Sequence, residues 1–215
     1  MACQDDSNEI ERAREWLSRD DVVILDTETT GLHQGAHIVA ISVIDTKGNI
    51  LLNTYVKPPD PIDESLSYKD YDWYGNEIEK PTAFAINGIG NETVKDAPTF
   101  DAIWLTLQPL LEGKLVLAYN VDFDQGMIDD HYARYGTLET LDCKWYCVMN
   151  WYAMYHGEWD ERRRNYRWVR LTYACDEQHV EIDNAHDAHG DCLLTLGLIR
   201  AIAAKQTPLE KQTTR

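Results

Sequence analysis

The chain has few cysteines and no long hydrophobic run, and each shortage excludes a class of protein. Its five cysteines are an odd number without the spacing of a disulfide framework, which favours reduced thiols in a cytoplasmic protein. No run of about 18 apolar residues is present, so no membrane span is predicted. The opening MACQDDSNEIERAREW is acidic and amphipathic, unlike a secretory or organellar signal.

Positive charge is also scarce. The chain has 20 basic and 37 acidic residues, which gives a net charge of −17. This charge argues against a protein that coats a nucleic-acid duplex through its phosphates. An enzyme that holds one chain end locally, through metal ions, is not excluded.

The segment DERRRNYRWVR is the exception, because it places five arginines between residues 162 and 170. Two interpretations stay open. The arginines could bind phosphates while Tyr166 and Trp168 stack on unpaired bases. Alternatively, they balance a very acidic surface and the aromatics belong to the core.

What is present describes a globular α/β protein. The 215 residues are 44% hydrophobic, with only 12 glycines and 7 prolines, enough for one ordinary core. The patterns predict, in order, a helix at 8–19, strands at 22–26, 37–45 and 49–56, a long polar loop at 57–81, a helix at 98–112, a strand at 114–120, a helix at 124–135, a short strand near 141, a helix through 155, a small helix at 171–178 and a last helix at 187–204.

This order of elements predicts how the chain is organised. Three strands in a meander, followed by alternating helices and strands, indicate a sheet with helices packed on it. The pattern is similar to the ribonuclease H-like architecture, a mixed five-stranded sheet flanked by helices. We divide the chain into a helical extension at 1–20, one domain at 21–204 and a flexible tail at 205–215.

Two carboxylates follow a buried strand in VVILDTETTGL. Asp26 and Glu28 are two residues apart, so they point to the same face of the strand. They lie at its carboxyl end, where open α/β sheets form their active crevices. Convergent carboxylate oxygens suit a hard cation such as Mg²⁺ or Mn²⁺. Taken alone, the pair could equally cap the loop that follows.

Two further acids lie near the ends of other predicted elements. Asp124, in AYNVDFDQGMI, lies where the fourth strand meets a helix, although it could serve only as an N-cap. In NAHDAHGDCLLTLGLI, Asp191 lies on the same helical stripe as Leu194 and Leu198, where an acid is unusual unless it is paired or binds metal. His186 precedes it by five residues. Alternatively, His186 is an ordinary loop histidine, and Asp191 is an acid in the first turn of a helix that the helix dipole favours.

These segments resemble a known family. DTETTG, YNVDFD and HDAHGD are similar to the three motifs of the DEDD exonucleases, in the histidine-bearing DEDDh branch. Its members include the proofreading subunit of bacterial DNA polymerase III and ribonuclease T. FAINGIGNETVKDAPTF resembles the linker that the family carries before its helix and fourth strand. The resemblance extends over roughly residues 22–202.

The resemblance implies a metal-dependent 3′-5′ exonuclease that releases nucleoside 5′-monophosphates from the 3′ end of DNA or RNA, with a single strand as the expected substrate. Two Mg²⁺ or Mn²⁺ ions would activate water and stabilise the leaving oxygen. The implied roles are metal ligands for Asp26, Glu28, Asp124 and Asp191, general base for His186, contact with the terminal nucleotide for Thr29, Thr30, Gly31 and Leu32, and support of Asp124 for Asn120 and Phe123.

Some positions depart from the family pattern. Tyr119 stands where many members have histidine, and Asp122 and Asp187 add acids beside the motifs. We interpret both acids as outer residues, with Asp187 as the alternative metal ligand. Three rival functions remain: a catalytically silent nucleic-acid-binding module, an endonuclease of the ribonuclease H type, and an accessory proofreading subunit. The last would need a polymerase partner, for which AAKQTPLEKQTTR offers no docking element.

Overall fold

The structure is a computed structural model that describes residues 6–33, 35–135, 141–181 and 186–207. Its strands are β1 (Val22–Thr29), β2 (Ile38–Asp45), β3 (Ile50–Tyr55), β4 (Ser67–Tyr71), β5 (Glu77–Pro81), β6 (Leu115–Ala118), β7 (Lys144–Cys147), β8 (Trp159–Asp160) and β9 (Asn165–Tyr166). Its helices are α1 (Ser7–Ser18), α2 (Ala83–Asn87), α3 (Asn91–Val94), α4 (Phe100–Leu111), α5 (Val121–Tyr135), α6 (Val148–His156), α7 (Leu171–Glu177) and α8 (Ala188–Ala203).

The main sheet confirms the predicted architecture. Its five strands run in the order β3-β2-β1-β6-β7. The first three form the predicted antiparallel meander, and β6 and β7 are added in parallel to β1 and to each other. β1 is therefore the central strand, with β2 on one side and β6 on the other.

The side chains of β1 alternate between two cores. Val22 and Ile24 pack with α1, α6, α7 and α8 on one face of the sheet, whereas Val23 and Leu25 pack with α4 and α5 on the other. Because side chains in a strand alternate, Asp26 continues the row that faces α8. The strand thus directs its first acid toward the helix that carries Asp191.

The first helix is part of the main core. Its buried residues Ile10, Ala13 and Trp16 lie in the same cluster as the apolar stripe of α8. The Trp16 ring meets that of Trp151 edge to face, with centroids 5.1 Å apart, and the Arg14 Nε donates to the Ala203 carbonyl. Of the predicted tail, residues 208–215 lie outside the described residues.

The prediction of a loop throughout 57–81 is wrong, because β4 and β5 form an antiparallel hairpin there. Its turn is closed by the Asp72 carboxylate, which accepts from the N–H groups of Tyr74 and Asn76 at 2.8 Å each. Neither face of this two-stranded sheet packs on the core, so its side chains do not show the usual apolar alternation. The small helices α2 and α3 and the β8–β9 hairpin were not predicted either.

Several predicted boundaries also move, and the strand expected at 22–26 continues to Thr29. The short strand expected near Leu141 is β7, three residues later at Lys144–Cys147, and α5 begins at Val121 rather than at Asp124. The four cysteines of the described part of the chain are unpaired, and Cys3 lies outside it. Within the described ranges, none of the helices is long and apolar enough to span a membrane.

Candidate active site

Three carboxylates meet at the carboxyl end of β1. One oxygen from each of Asp26, Glu28 and Asp191 lies within 4.8 Å of the other two. The first two come from the same row of β1, and the third comes from the first turn of α8, which packs across that strand. The structure therefore brings together, from opposite ends of the sequence, three of the four predicted metal ligands.

The fourth acid, Asp124, is buried beside this group and holds the edge of β1. The parallel pairing of β1 with β6 ends at Ile24 and Leu117, which leaves the next backbone groups of β1 without a strand partner on that side. The Asp124 Oδ1 replaces the missing strand, accepting from the Thr27 N–H at 3.0 Å and from the Thr27 hydroxyl at 2.7 Å. Asp124 lies inside the first turn of α5, so it is not an N-cap.

The electrostatics show how unfavourable this arrangement is without a cation. Burial raises the pKa of Asp26 well above its usual range, and the charges of Asp124, Asp191 and Glu28 raise it further. Burial also raises the pKa of Glu28 to about 7 and that of Asp124 to about 7. The pKa of Asp191 is raised as well, again chiefly by burial.

This donor set fits a divalent cation. Clustered carboxylates hold their protons until a positive charge compensates their mutual repulsion. Mg²⁺ and Mn²⁺ prefer such hard oxygen donors. We therefore treat the three-carboxylate group as a candidate metal centre, with Asp124 as the adjoining acid.

His186 stands at the rim of this centre. Its side chain is exposed, and its backbone adopts φ +69°, in the left-handed region that few residues other than glycine and asparagine occupy. Its N–H points to the Asp191 Oδ1, 3.3 Å away. Asp187 is exposed next to it, and its charge raises the pKa of Glu28, but the three-carboxylate group does not include it.

A cleft of about 640 Å³ opens beside Glu28. Five of the residues predicted to contact substrate or support Asp124 line it, namely Thr29, Thr30, Gly31, Leu32 and Phe123. Asn120 is the exception, because it does not line the cleft. Its carbonyl instead accepts from the Phe123 N–H at 3.0 Å, at the start of α5.

The turn after β1 is fixed by its own side chains. The Thr29 hydroxyl donates to the Gly31 carbonyl at 2.8 Å, and the Thr30 hydroxyl accepts from the His37 N–H at 2.9 Å. A Cβ on Gly31 would lie 2.7 Å from the Nδ1 of His33, so a glycine allows this close approach. These contacts hold the backbone of the cleft in one arrangement.

Asn87 is a site residue that the sequence reasoning missed. Its Nδ2 donates to the Glu28 Oε2 at 3.3 Å and to the Thr29 carbonyl at 3.2 Å. It therefore orients Glu28 and joins the opposite wall of the cleft to β1. The signal was its place in FAINGIG, the segment that resembles the family linker.

Tyr119, the departure from the family pattern, has a structural role. Its buried hydroxyl donates to the Val169 carbonyl at 2.7 Å, which attaches the arginine-rich segment to the end of β6. Within that segment the Arg163 guanidinium lies over the Trp168 ring at 5.8 Å, and Arg167 pairs with Glu158 at 2.7 Å. Part of the positive charge of this segment is therefore already paired with neighbouring side chains.

Comparisons with known proteins agree with this geometry. The family model RNase_T, described as an exonuclease, matches residues 72–199. The uncharacterized exonuclease CP81 of Escherichia phage 186 is 37% identical over 199 residues, covering 90% of this chain and 93% of that protein. The DNA polymerase III subunit epsilon of Escherichia coli is 29% identical over 117 residues, or 50% of this chain, which spans only 41% of the length of that subunit.

Solved structures show the same fold. The nuclease domain of 3′hExo, described as a DEDDh family member bound to rAMP, superposes with a TM-score of 0.56 at 16% identity, over 85% of this chain and 90% of that one. The Mg²⁺- and Mn²⁺-bound form of Pop2p from S. pombe superposes with a TM-score of 0.57 at 14% identity, over 93% of this chain and 89% of that one.

Proposed function

Because the chain belongs to the RNase_T exonuclease family, with a DEDDh-type fold and motif set, we propose that it is a metal-dependent 3′-5′ exonuclease that releases nucleoside 5′-monophosphates. The observation that carries the proposal is the convergence of Asp26, Glu28 and Asp191 within 4.8 Å, beside a cleft that Glu28 lines. A silent binding module has no need of this buried, mutually repelling acidic set, whose pKa values are raised.

Two Mg²⁺ or Mn²⁺ ions are the proposed cofactors, held by these three carboxylates and Asp124. Such ions, when bound, supply the charge that activates water and stabilises the leaving 3′ oxygen. The acids tie this chemistry to the scaffold, since Glu28 is oriented by Asn87 and Asp124 by Thr27. The Mg²⁺- and Mn²⁺-bound Pop2p structure supports the choice of ion, because its fold is the same.

His186 is the proposed general base. An exposed imidazole at the rim can take a proton from the attacking water and pass it to solvent. The hydrogen bond from its N–H to Asp191 sets its position relative to the carboxylates.

The cleft beside Glu28 is the proposed site of the terminal nucleotide. The turn at residues 29–32 would contact the sugar and phosphate through its backbone, with Leu32 against the base. The rAMP bound to the 3′hExo nuclease domain supports a nucleoside monophosphate as the occupant. A cytoplasmic location belongs to the same proposal and is supported by the cysteines at 143, 147, 175 and 192, which are unpaired in the described part of the chain.

A degradation panel tests the proposal. Linear single strands of DNA and RNA, labelled at the 5′ or the 3′ end, are incubated with Mg²⁺, Mn²⁺ or excess chelator. We expect a ladder of shortening products from the 5′ label, mononucleotides from the 3′ label, and no reaction in chelator. Cleavage of a circular single strand would instead indicate an endonuclease, and hydrolysis in excess chelator would contradict the metal scheme.

A further inference from the structure

A second cavity lies on the face of the main sheet that does not carry the acids of β1. It measures about 260 Å³ and opens between α4, α5 and the start of β7. Its apolar lining residues belong to the core that packs against Val23 and Leu25. Among the described residues, none lines both this cavity and the cleft beside Glu28, so the chemistry of the acids does not account for it.

Three aromatic side chains line this cavity. Trp104 of α4 and Tyr132 of α5 have ring centroids 5.1 Å apart, and Trp145 of β7 borders the same space. Trp104 is only 4% exposed, so the cavity extends inward to the core. The faces of aromatic rings carry a negative potential that attracts organic cations.

Two polar groups of this aromatic wall have no hydrogen-bond partner. In the described part of the chain, the Trp104 Nε1–H and the Tyr132 hydroxyl are both buried and unpaired. Buried polar groups of folded proteins nearly always have a partner, and leaving one unsatisfied is costly. Two unpaired groups at one cavity therefore indicate an occupant that supplies a hydrogen-bond acceptor, such as a carbonyl oxygen.

The rim of the cavity is acidic. Asp129 lines it and is exposed, and among the described lining residues none is a lysine or an arginine. Burial raises the pKa of the Cys143 thiol in the same wall to about 11, with a further contribution from three nearby carboxylates, namely Asp129, Glu112 and Asp142. Such a rim attracts a cation and repels a phosphate or a carboxylate.

We propose that this cavity binds an organic cation that carries a carbonyl oxygen on the same molecule, namely a basic amino acid or a basic residue of a polypeptide. The acidic rim and the aromatic faces receive its ammonium or guanidinium group. The Trp104 Nε1–H and the Tyr132 hydroxyl donate to its carbonyl oxygen. The inference does not depend on the proposed exonuclease function, because none of the four acids takes part.

Two compounds represent the two sources of such a cation. L-Lysine is the free amino acid, and N-acetyl-L-lysine methylamide reproduces a lysine residue within a polypeptide. N-acetyl-L-norleucine methylamide is the matched control, because it has a similar side chain without the ammonium group. The readout is the rate at which N-ethylmaleimide alkylates Cys143, followed by mass spectrometry, since a ligand in the cavity covers this half-buried thiol. We expect either lysine compound, at millimolar concentration, to slow this alkylation, and the dependence on concentration gives the Kd.

Tyr132→Phe and Asp129→Asn are the test variants. Tyr132→Phe removes an unpaired hydroxyl, so the melting temperature of the ligand-free protein should not fall, whereas the Kd of the lysine methylamide should rise by about 2- to 10-fold. Asp129→Asn should raise this Kd by about 2- to 5-fold, because an exposed ion pair is weak. Asp122→Asn removes the same charge from an exposed position of the same helix that does not line the cavity, so its Kd should stay near that of wild type.

The outcomes decide the inference. Protection of Cys143 by the norleucine compound as strong as that by its lysine counterpart would show that the cavity does not select a cation. Absence of protection by both lysine compounds would overturn the site itself. A Kd that is unchanged in Tyr132→Phe and in Asp129→Asn, or raised equally in Asp122→Asn and Asp129→Asn, would also contradict it. If the site is supported, tighter binding of the methylamide than of L-lysine identifies a polypeptide as the source, and the reverse order identifies the free amino acid.

Discussion

The buried Asp124 carboxylate accepts both the N–H and the hydroxyl of Thr27, at 3.0 and 2.7 Å, where β1 and β6 separate. One side chain thus replaces a missing strand and stands next to the candidate metal centre. The same contact fixes the orientation of the carboxylate and satisfies a backbone donor that is buried at the edge of the sheet.

Substitutions at Asp124 should separate these two roles. Asp124→Asn keeps an oxygen at the Oδ1 position, whereas Asp124→Ala leaves the Thr27 N–H without an acceptor. Both variants lose the negative charge, so the difference between their stabilities measures the hydrogen bonds from Thr27. We expect Asp124→Ala to be less stable than Asp124→Asn by about 1–3 kcal/mol in urea unfolding, with both inactive. Equal stability of the two variants would show that Asp124 does not hold the strand edge.

The raised pKa of Glu28 predicts how the metal-free protein responds to pH. Its pKa is about 7 in the folded protein, against 4.5 ordinarily, so the folded state holds this proton more tightly than the unfolded state. The contribution to stability is complete below about pH 4.5 and is lost as the pH rises through 7. We therefore expect Glu28→Gln to exceed wild type in unfolding free energy by about 1–2 kcal/mol at pH 8 in chelator.

The same pair of proteins tests the candidate metal centre. A cation that binds only the folded state stabilises it, so Mn²⁺ at pH 8 should raise the melting temperature of wild type more than that of Glu28→Gln. At pH 4.5 the two proteins should be alike. A stability difference that does not change between pH 4.5 and 8 in chelator would contradict the raised pKa.

Substitution of His186 should remove turnover without removing the metal. His186→Asn suits the left-handed backbone at this position, because asparagine tolerates that conformation better than most residues. His186→Ala also removes the imidazole, but alanine tolerates this backbone conformation less well. Loss of a general base typically lowers the rate by about 10²–10⁴-fold. We expect that loss in kcat, with the Mn²⁺-dependent rise in melting temperature intact. Hydrolysis at the wild-type rate would remove the assigned role.

The convergence of Asp26, Glu28 and Asp191 can be expected from the sequence, because the positions of these acids depend on simple geometry. Asp26 and Glu28 lie at the end of a buried strand, and alternation alone places both on one face. Asp191 is predicted by its place on an apolar helical stripe. Each of these patterns is local. The fold then brings the acids together at one edge of the sheet.

The cleft wall was not predictable in the same way. The β4–β5 hairpin has no buried face, so Tyr68 and its neighbours carry no apolar period. Asn87 gains its role only when α2 is placed opposite Glu28, a contact between residues 59 positions apart. Such contacts depend on tertiary packing, which a single sequence does not encode in any short pattern.

The arginine-rich segment gives the last prediction. In the described part of the chain Arg162 and Arg164 form no ion pair, whereas Arg167 pairs with Glu158 at 2.7 Å. If the segment contacts phosphates, the unpaired arginines are the ones available. We expect Arg162→Gln with Arg164→Gln to weaken the binding of a single strand and to reduce the dependence of log K on log salt by about one unit or more, since each lost phosphate contact contributes about 0.7 for single strands.

Arg167→Gln is the matched control for this pair, because its charge is already neutralised on the same segment. It should leave the salt dependence close to that of wild type. The two-arginine variant distinguishes the interpretations that the sequence left open. An unchanged slope would mean that these arginines only balance the acidic surface, and a reduced slope would extend the substrate path from the cleft toward the end of β6, where Tyr119 holds the segment through Val169.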